Sequence, residues 1–317
     1  MSMIISASYK TDIPTFYGEW FMNRLDAGYC MVINPYNRRP FRVSLRLEDA
    51  KAIVFWTKNA GPFLPKLTLI RERGYPFVLQ YTINAYPRAL EQSVVNAEQS
   101  IEHMKKIAAE FGPQVGVWRY DTILFTTLTP PDFHRRNFER LAKALEGTTN
   151  EVVVSFAQFY KKTLRNMNSA AETNRFTWYD PDDNAKRSLV DELADVARAY
   201  GIQLSICSQR RFISDRVAEA RCIDAARISK IIGHPLSVEL KGNRAECGCY
   251  ASRDIGEYDT CPHGCVYCYA VLNQALAQKH YREHEPSSEY LFAPADLSLQ
   301  VDDDHDDDSD TAQLKLL

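Results

Sequence analysis

No stretch of the sequence stays apolar for eighteen residues or more, so nothing in it reads as a membrane-spanning helix. There is no basic tract either. Lys and Arg total 38 against 41 Asp and Glu, and the formal net charge is -3. With a pI of about 6.2, the chain lacks the basic footprint of a dedicated nucleic-acid binder, and a nucleic-acid partner gains no support from bulk charge. The opening residues, MSMIISASYKTDIP, have neither the charged start nor the long apolar segment of a secretory leader, so a cytoplasmic location is expected. What is present is ordinary in amount: 317 residues, 45% hydrophobic and 25% charged, suit one large core with a small appendage. The eight cysteines are better explained in a reducing compartment by metal or redox chemistry than by structural disulfides.

Short β-rich apolar runs alternate with longer stretches of helical period. Strand-like runs occupy 3–6, 52–57, 77–82, 115–119, 152–156 and 203–207, and helical stretches follow at 13–27, 61–73, 90–111, 131–145 and 181–200. The runs are continuously apolar, as expected of strands buried on both faces in a parallel sheet. Six such units in series predict an α/β fold, either a barrel or an open sheet, and periodicity does not separate the two. A further run at 29–33 reads as a short strand or hairpin arm.

In parallel α/β folds, ligands bind where the strands end and their loops converge. The residues at those ends are unusually polar here: Asp12, Lys58, Gln80, Arg119, Asp121 and Ser155 fall at five of them. Each also has a structural reading. Asp12, just before Ile13-Pro14, suits a helix N-cap; Arg119 and Asp121 suit a buried pair; Lys58 suits a solvated loop. Convergence on one rim favours a polar pocket, with Asp12, Lys58, Arg119 and Asp121 as candidate catalytic groups.

Near the C-terminus, residues 259–270 read DTCPHGCVYCYA. Cys261, Cys265 and Cys268 stand in C-x3-C-x2-C spacing, with Tyr267 just before the third. Three thiolates on a short loop can each take one iron of a four-iron cluster and leave the fourth iron open. The alternative is zinc, with His263 or Cys249 as fourth ligand, although structural zinc usually draws its cysteines as C-x2-4-C pairs.

This segment resembles the cluster loop of the radical S-adenosylmethionine (SAM) enzymes, and its wording CPHGCVYCYA is closest to the branch similar to spore photoproduct lyase. The resemblance implies that Cys261, Cys265 and Cys268 hold a [4Fe-4S] cluster and that SAM chelates the open iron. It further implies that an electron from a donor such as ferredoxin or flavodoxin cleaves SAM to a 5′-deoxyadenosyl radical. It also implies a partial (β/α)6 TIM-like barrel over 1–210. The loop would then enter the barrel mouth from a C-terminal cysteine-rich segment, 211–285. Carboxylates suit the SAM ribose or ammonium group, and Lys or Arg its carboxylate; Gln80, Ser155 and Tyr267 join them as cofactor-binding candidates. Two rivals remain, a non-SAM iron–sulfur protein for electron transfer or redox sensing and a zinc-stabilised α/β barrel.

Of the other cysteines, Cys30 lies in an apolar run and reads as a buried small hydrophobe. Cys207, Cys222, Cys247 and Cys249 are the four thiolates that a closed [4Fe-4S] cluster or an all-cysteine zinc site needs, and no metal at all is the third alternative. The block VDDDHDDDSD within 286–317 predicts a disordered acidic tail. As a whole the chain resembles an uncharacterised bacterial domain-of-unknown-function family, number eighteen forty-eight, through the phrases ISASYKTDIP, VFWTKN, VWRYD and CPHGCVYCYA. That resemblance brings no established reaction or substrate.

Overall fold

The computed structural model describes residues 3–242 and 246–293. It begins with β1 (Met3–Ala7), then α1 (Ile13–Phe16) and α2 (Gly18–Ala27). Asp12 caps α1 by accepting from the Thr15 N–H at 2.9 Å, and Pro14 fits the first turn, where no amide partner is needed. A hairpin of β2 (Tyr29–Ile33) and β3 (Pro40–Ser44) stands apart as its own antiparallel pair, as the 29–33 run suggested.

The main series follows: β4 (Ala50–Thr57), α3 (Leu64–Glu72), β5 (Phe77–Thr82), α4 (Ala97–Phe111), β6 (Gly116–Ile123), α5 (Pro131–Ala144), β7 (Glu151–Phe156), α6 (Lys161–Asn174), α7 (Asp183–Ala199) and β8 (Gln203–Ile206). The chain closes with β9 (Ala218–Glu219), α8 (Ala225–Ile232), β10 (Ser252–Asp254) and α9 (Gln274–Arg282).

The result is a mixed α/β fold on one eight-stranded sheet, ordered β10-β1-β4-β5-β6-β7-β8-β9. Every neighbouring pair is parallel. Alternate residues of each strand supply two cores. Ile5, Ile53, Phe55, Leu79, Trp118 and Val154 face one side, where α2, α3, α4, α5 and α7 cover them. Ile4, Val54, Val78, Val117 and Val153 face the other, against Ile223 and against Ala225 and Ile228 of α8. Burial on both faces is why the strands are apolar throughout, and each buried Val, Ile or Phe contributes about 1.5–3 kcal/mol.

Three expectations change. The sheet has eight strands where six were expected, because β9 and β10 are two and three residues long and carry no apolar run. They lie at the two ends of the order and, among the described residues, no closed barrel forms. The segment after β8 is woven into the sheet at both edges. The expected helix 90–111 starts only at Ala97, capped by Asn96, and α6 was not anticipated.

Residues 288–291, expected within the tail, are docked on the fold. The Met31 N–H donates to the Glu289 carbonyl at 2.9 Å, Trp20 Nε1 donates to the Ser288 carbonyl at 3.0 Å, and Leu291 is buried. The acidic block lies outside the described residues. No helix among the described residues is long and apolar enough to cross a membrane.

Candidate functional site

Because the main strands all run the same way, their C-terminal ends form one rim, and a cavity of about 280 Å³ opens there. Asp12, Lys58, Arg119, Asp121, Ser155 and Tyr267 line it together with Cys207, Cys222, Cys247, Cys249, Cys261, Cys265 and Cys268. Gln80 lies outside that lining, its Nε2 donating to the Cys222 carbonyl at 2.9 Å and its Oε1 accepting from Arg119 at 3.1 Å.

The three-cysteine loop reaches this rim by docking on the chain between β5 and α4. The Val266 N–H donates to the Leu90 carbonyl at 3.1 Å and the Ser93 N–H to the His263 carbonyl at 2.9 Å, with Glu91 and Cys265 paired antiparallel. This contact is what delays α4. Gly264 allows the turn, with φ +72° and Gln92 standing where a Cβ would reach. From β1's side, Asp12 accepts from His263 Nε2 at 2.7 Å, the Lys58 N–H at 2.7 Å and Thr57 Oγ1 at 3.1 Å. Asp12 is therefore both a helix cap and the anchor of the loop. Burial raises the pKa of all three thiols. At Cys265, Lys58 opposes this, while the charge of Glu91 and then those of Cys268 and Cys261 add to it.

Lys58 is no solvated lysine. Its Nζ donates to Glu91 Oε1 at 2.8 Å and to the Tyr267 hydroxyl at 3.1 Å. Glu91 Oε1 also accepts from Asn84 Nδ2 at 3.1 Å and from Tyr267. Burial alone would lower the Lys58 pKa, yet Glu91 and then Cys265 hold it above its ordinary value. Burial would likewise raise Glu91, and Lys58 holds it below the usual carboxylate range.

Arg119 and Asp121 do form a buried pair, with Nε donating to Oδ2 at 3.0 Å. Arg119 also donates from Nη1 to Cys222 Sγ at 3.0 Å, so one guanidinium joins a carboxylate to a sulfur. Asp121 accepts from Ser155, which meets Thr122 at 2.9 Å. Cys207 and Cys222 bring their sulfurs to 3.5 Å. Among the described residues, no three His, Cys, Asp or Glu side chains converge on a point as a single bound ion requires.

Several contributors were not singled out from the sequence. Glu91 fell inside the expected helix 90–111 and Asn84 in the connection before it, and nothing in the local pattern marked either. Asp254 accepts from Ser6 at 2.8 Å, Ser8 at 2.7 Å and the Tyr9 N–H at 3.0 Å, with Lys10 Nζ at 3.7 Å. It fastens β10 to the start of the chain, and the brevity of β10 hid it. His263, weighed as a zinc ligand, spends Nε2 on Asp12.

The profile of a family described as a domain of unknown function (DUF1848) matches residues 4–270, so the chain belongs to that family. No curated protein matches it significantly.

Proposed function

We propose that this DUF1848 protein is a cytoplasmic iron–sulfur enzyme of the radical SAM type, with Cys261, Cys265 and Cys268 as ligands of a [4Fe-4S] cluster. The single observation that carries the reading is the arrival of these three thiols at the rim cavity beside Lys58, Asp121 and Ser155. The donor set fits the cluster: each iron takes one thiolate, so the three sulfurs need not converge on a point, and one iron is left for a small molecule. Two buried polar atoms in cavity-lining residues, His263 Nδ1 and Thr11 Oγ1, lack a partner among the described residues and suit such a guest. The sheet would be an opened relative of the family's partial barrel.

When bound, the cluster supplies one electron for cleavage of SAM, delivered by a donor such as ferredoxin or flavodoxin. The chain's own residues hold the reactants. Lys58, fixed by Glu91 and Tyr267, places a positive charge beside Cys265 and offsets the thiolates' charge. Lys10, at 3.7 Å from Asp254, is beyond a full hydrogen bond and keeps donors for a carboxylate such as that of SAM. The hydroxyls of Ser155 and Thr122, aligned by Asp121, suit a ribose. Phe156 and Tyr160 in the cavity lining limit water around the reacting groups.

The test is anaerobic purification, iron and sulfide quantitation, and an EPR spectrum of the dithionite-reduced protein with and without SAM. A [4Fe-4S]⁺ signal that changes on adding SAM, and is lost in Cys261→Ala, is expected. A signal indifferent to SAM would replace this reading with the electron-transfer one, and zinc without iron would remove both.

A further inference from the structure

We propose that Cys207, Cys222, Cys247 and Cys249 form a second metal centre in the wall of the same cavity, a closed four-thiolate site for a thiophilic metal. It is independent of the three-cysteine reading. The four residues come from separate places, the end of β8, the turn after β9 and the segment leading to β10, yet they make one chain of contacts. Cys207 and Cys222 bring their sulfurs to 3.5 Å. Cys249 lies near enough to Cys222 and to Cys247 for the thiols to perturb one another.

Their backbones are pinned as ligand backbones need to be. The Cys207 N–H donates to the Val154 carbonyl at 2.9 Å, Tyr250 to Ile223 at 3.0 Å and Lys241 to the Cys249 carbonyl at 3.1 Å. A Cβ at Gly242 would stand 2.2 Å from the Cys247 carbonyl oxygen, so only glycine lets the two passes lie this close.

Two donors point at the sulfurs. Arg119 Nη1 lies 3.0 Å from Cys222 Sγ, and the Ile223 N–H lies 3.5 Å from Cys249 Sγ. A buried guanidinium aimed at sulfur stabilises a thiolate and does little for a neutral thiol in an apolar core. Hydrogen bonds to ligand sulfurs are what orient and tune thiolate-bound metals. Four neighbouring thiols can give up their protons together only when a metal cation takes its place among the sulfurs. The chemistry shared by zinc and an iron–sulfur cluster, soft metal bound by thiolate, answers that need. With Zn–S near 2.3 Å, tetrahedral sulfurs stand about 3.8 Å apart, while a four-iron cluster spreads them wider. Among the described residues no three donors yet meet at a point, so either metal requires the thiols to turn about χ1. Four protein ligands leave no open position, so this centre would not bind SAM.

The test uses the full-length chain carrying C261A/C265A/C268A, purified anaerobically, with zinc, iron and sulfide quantified before and after reconstitution with ferrous iron and sulfide. About one zinc, or about four irons with four sulfides, per chain is expected, falling at least tenfold on adding C222A. A folded triple variant that retains neither metal, or whose four thiols are found as disulfides, overturns the proposal. If the triple variant does not fold, wild type is compared with C222A alone: loss of one zinc or four irons supports the centre, and an unchanged metal content sinks it. A C207A/C222A/C247A/C249A variant without iron, beside a triple variant that keeps metal, would remove the radical SAM reading and leave this one standing.

Discussion

Replacing Lys58 by Met tests whether the Lys58–Glu91 pair bears on stability as well as on charge. Only 16% of the Lys58 side chain and 4% of the Glu91 side chain is exposed, so solvent screens the pair weakly. Removing one partner of a buried pair costs about 3–5 kcal/mol because the other is left charged and uncompensated. Asn84 and Tyr267 continue to donate to Glu91, which places K58M at the low end, about 3 kcal/mol. With 317 residues at about 2.1 cal/mol/K each, the unfolding entropy is about 0.7 kcal/mol/K, and Tm should fall by about 4–5 °C.

The double variant K58M/E91L removes both charges and should return to within about 1 kcal/mol of wild type, a coupling of at least about 2 kcal/mol. Urea unfolding followed by circular dichroism, at matched metal content, measures wild type, K58M, E91L and the double variant. A K58M cost below about 1 kcal/mol, or single costs that simply add in the double variant, would refute the reasoning. The pH dependence has a definite sign. Glu91 is depressed, so its contribution is present above the ordinary carboxylate pKa and is lost as pH falls below it; Lys58 is raised, so its contribution is lost only above the ordinary lysine pKa. The pair should leave stability flat across neutral pH.

Burial pushes His134 down to about 4, against the opposing bond to the Leu124 carbonyl. The unfolded chain binds that proton first, so stability should rise by about 3 kcal/mol between about pH 4 and 6.5; urea titrations across that range should show the slope in wild type and lose it in H134Q, and a slope unchanged in H134Q would clear His134 of the role. Arg119→Lys keeps the charge but not the forked reach to both Asp121 and Cys222, so metal affinity at the four-cysteine group should drop about 10–100-fold in chelator competition; equal affinity would show that the Nη1 contact to sulfur is idle. Gly264→Ala meets left-handed strain of about 1–2 kcal/mol and Gln92 at 2.8 Å, whereas Gly147→Ala meets similar strain at φ +73° with nothing within 4 Å. Iron content should fall by half or more in the first and stay level in the second, and parallel losses would trace the effect to general destabilisation.

The parallel sheet was legible because its long strands are apolar on every residue, and the rim followed from their shared direction. Asp12, Lys58, Arg119 and Asp121 could be placed on that rim from their positions alone. What could not be read was how they are spent. Lys58 looks like any loop lysine until Glu91, 33 residues away, is found against it, and nothing in the local pattern joins the two. β9 and β10 were invisible for a different reason: a strand of two or three residues carries no periodicity, and its existence depends on a neighbour far along the chain. The helix expected from 90 failed because helical spacing of apolar residues says nothing about a second segment competing for the same backbone groups.

β10 lies beside β1, with 248 positions between Ser6 and the Asp254 that binds it. A ribosome releases the first strand long before the last one exists, at about 5–20 residues per second. During that interval β1 waits with one edge bare, and the rim lacks most of its sulfur. A contact closing so late is slow to find, and a chain cut short by even a modest C-terminal truncation would emerge with a nearly finished sheet and an empty mouth. For this protein the residues from Cys247 onward decide whether the earlier strands acquire a finished rim, and on the proposed reading sulfur and metal can be delivered only after Cys268 has emerged.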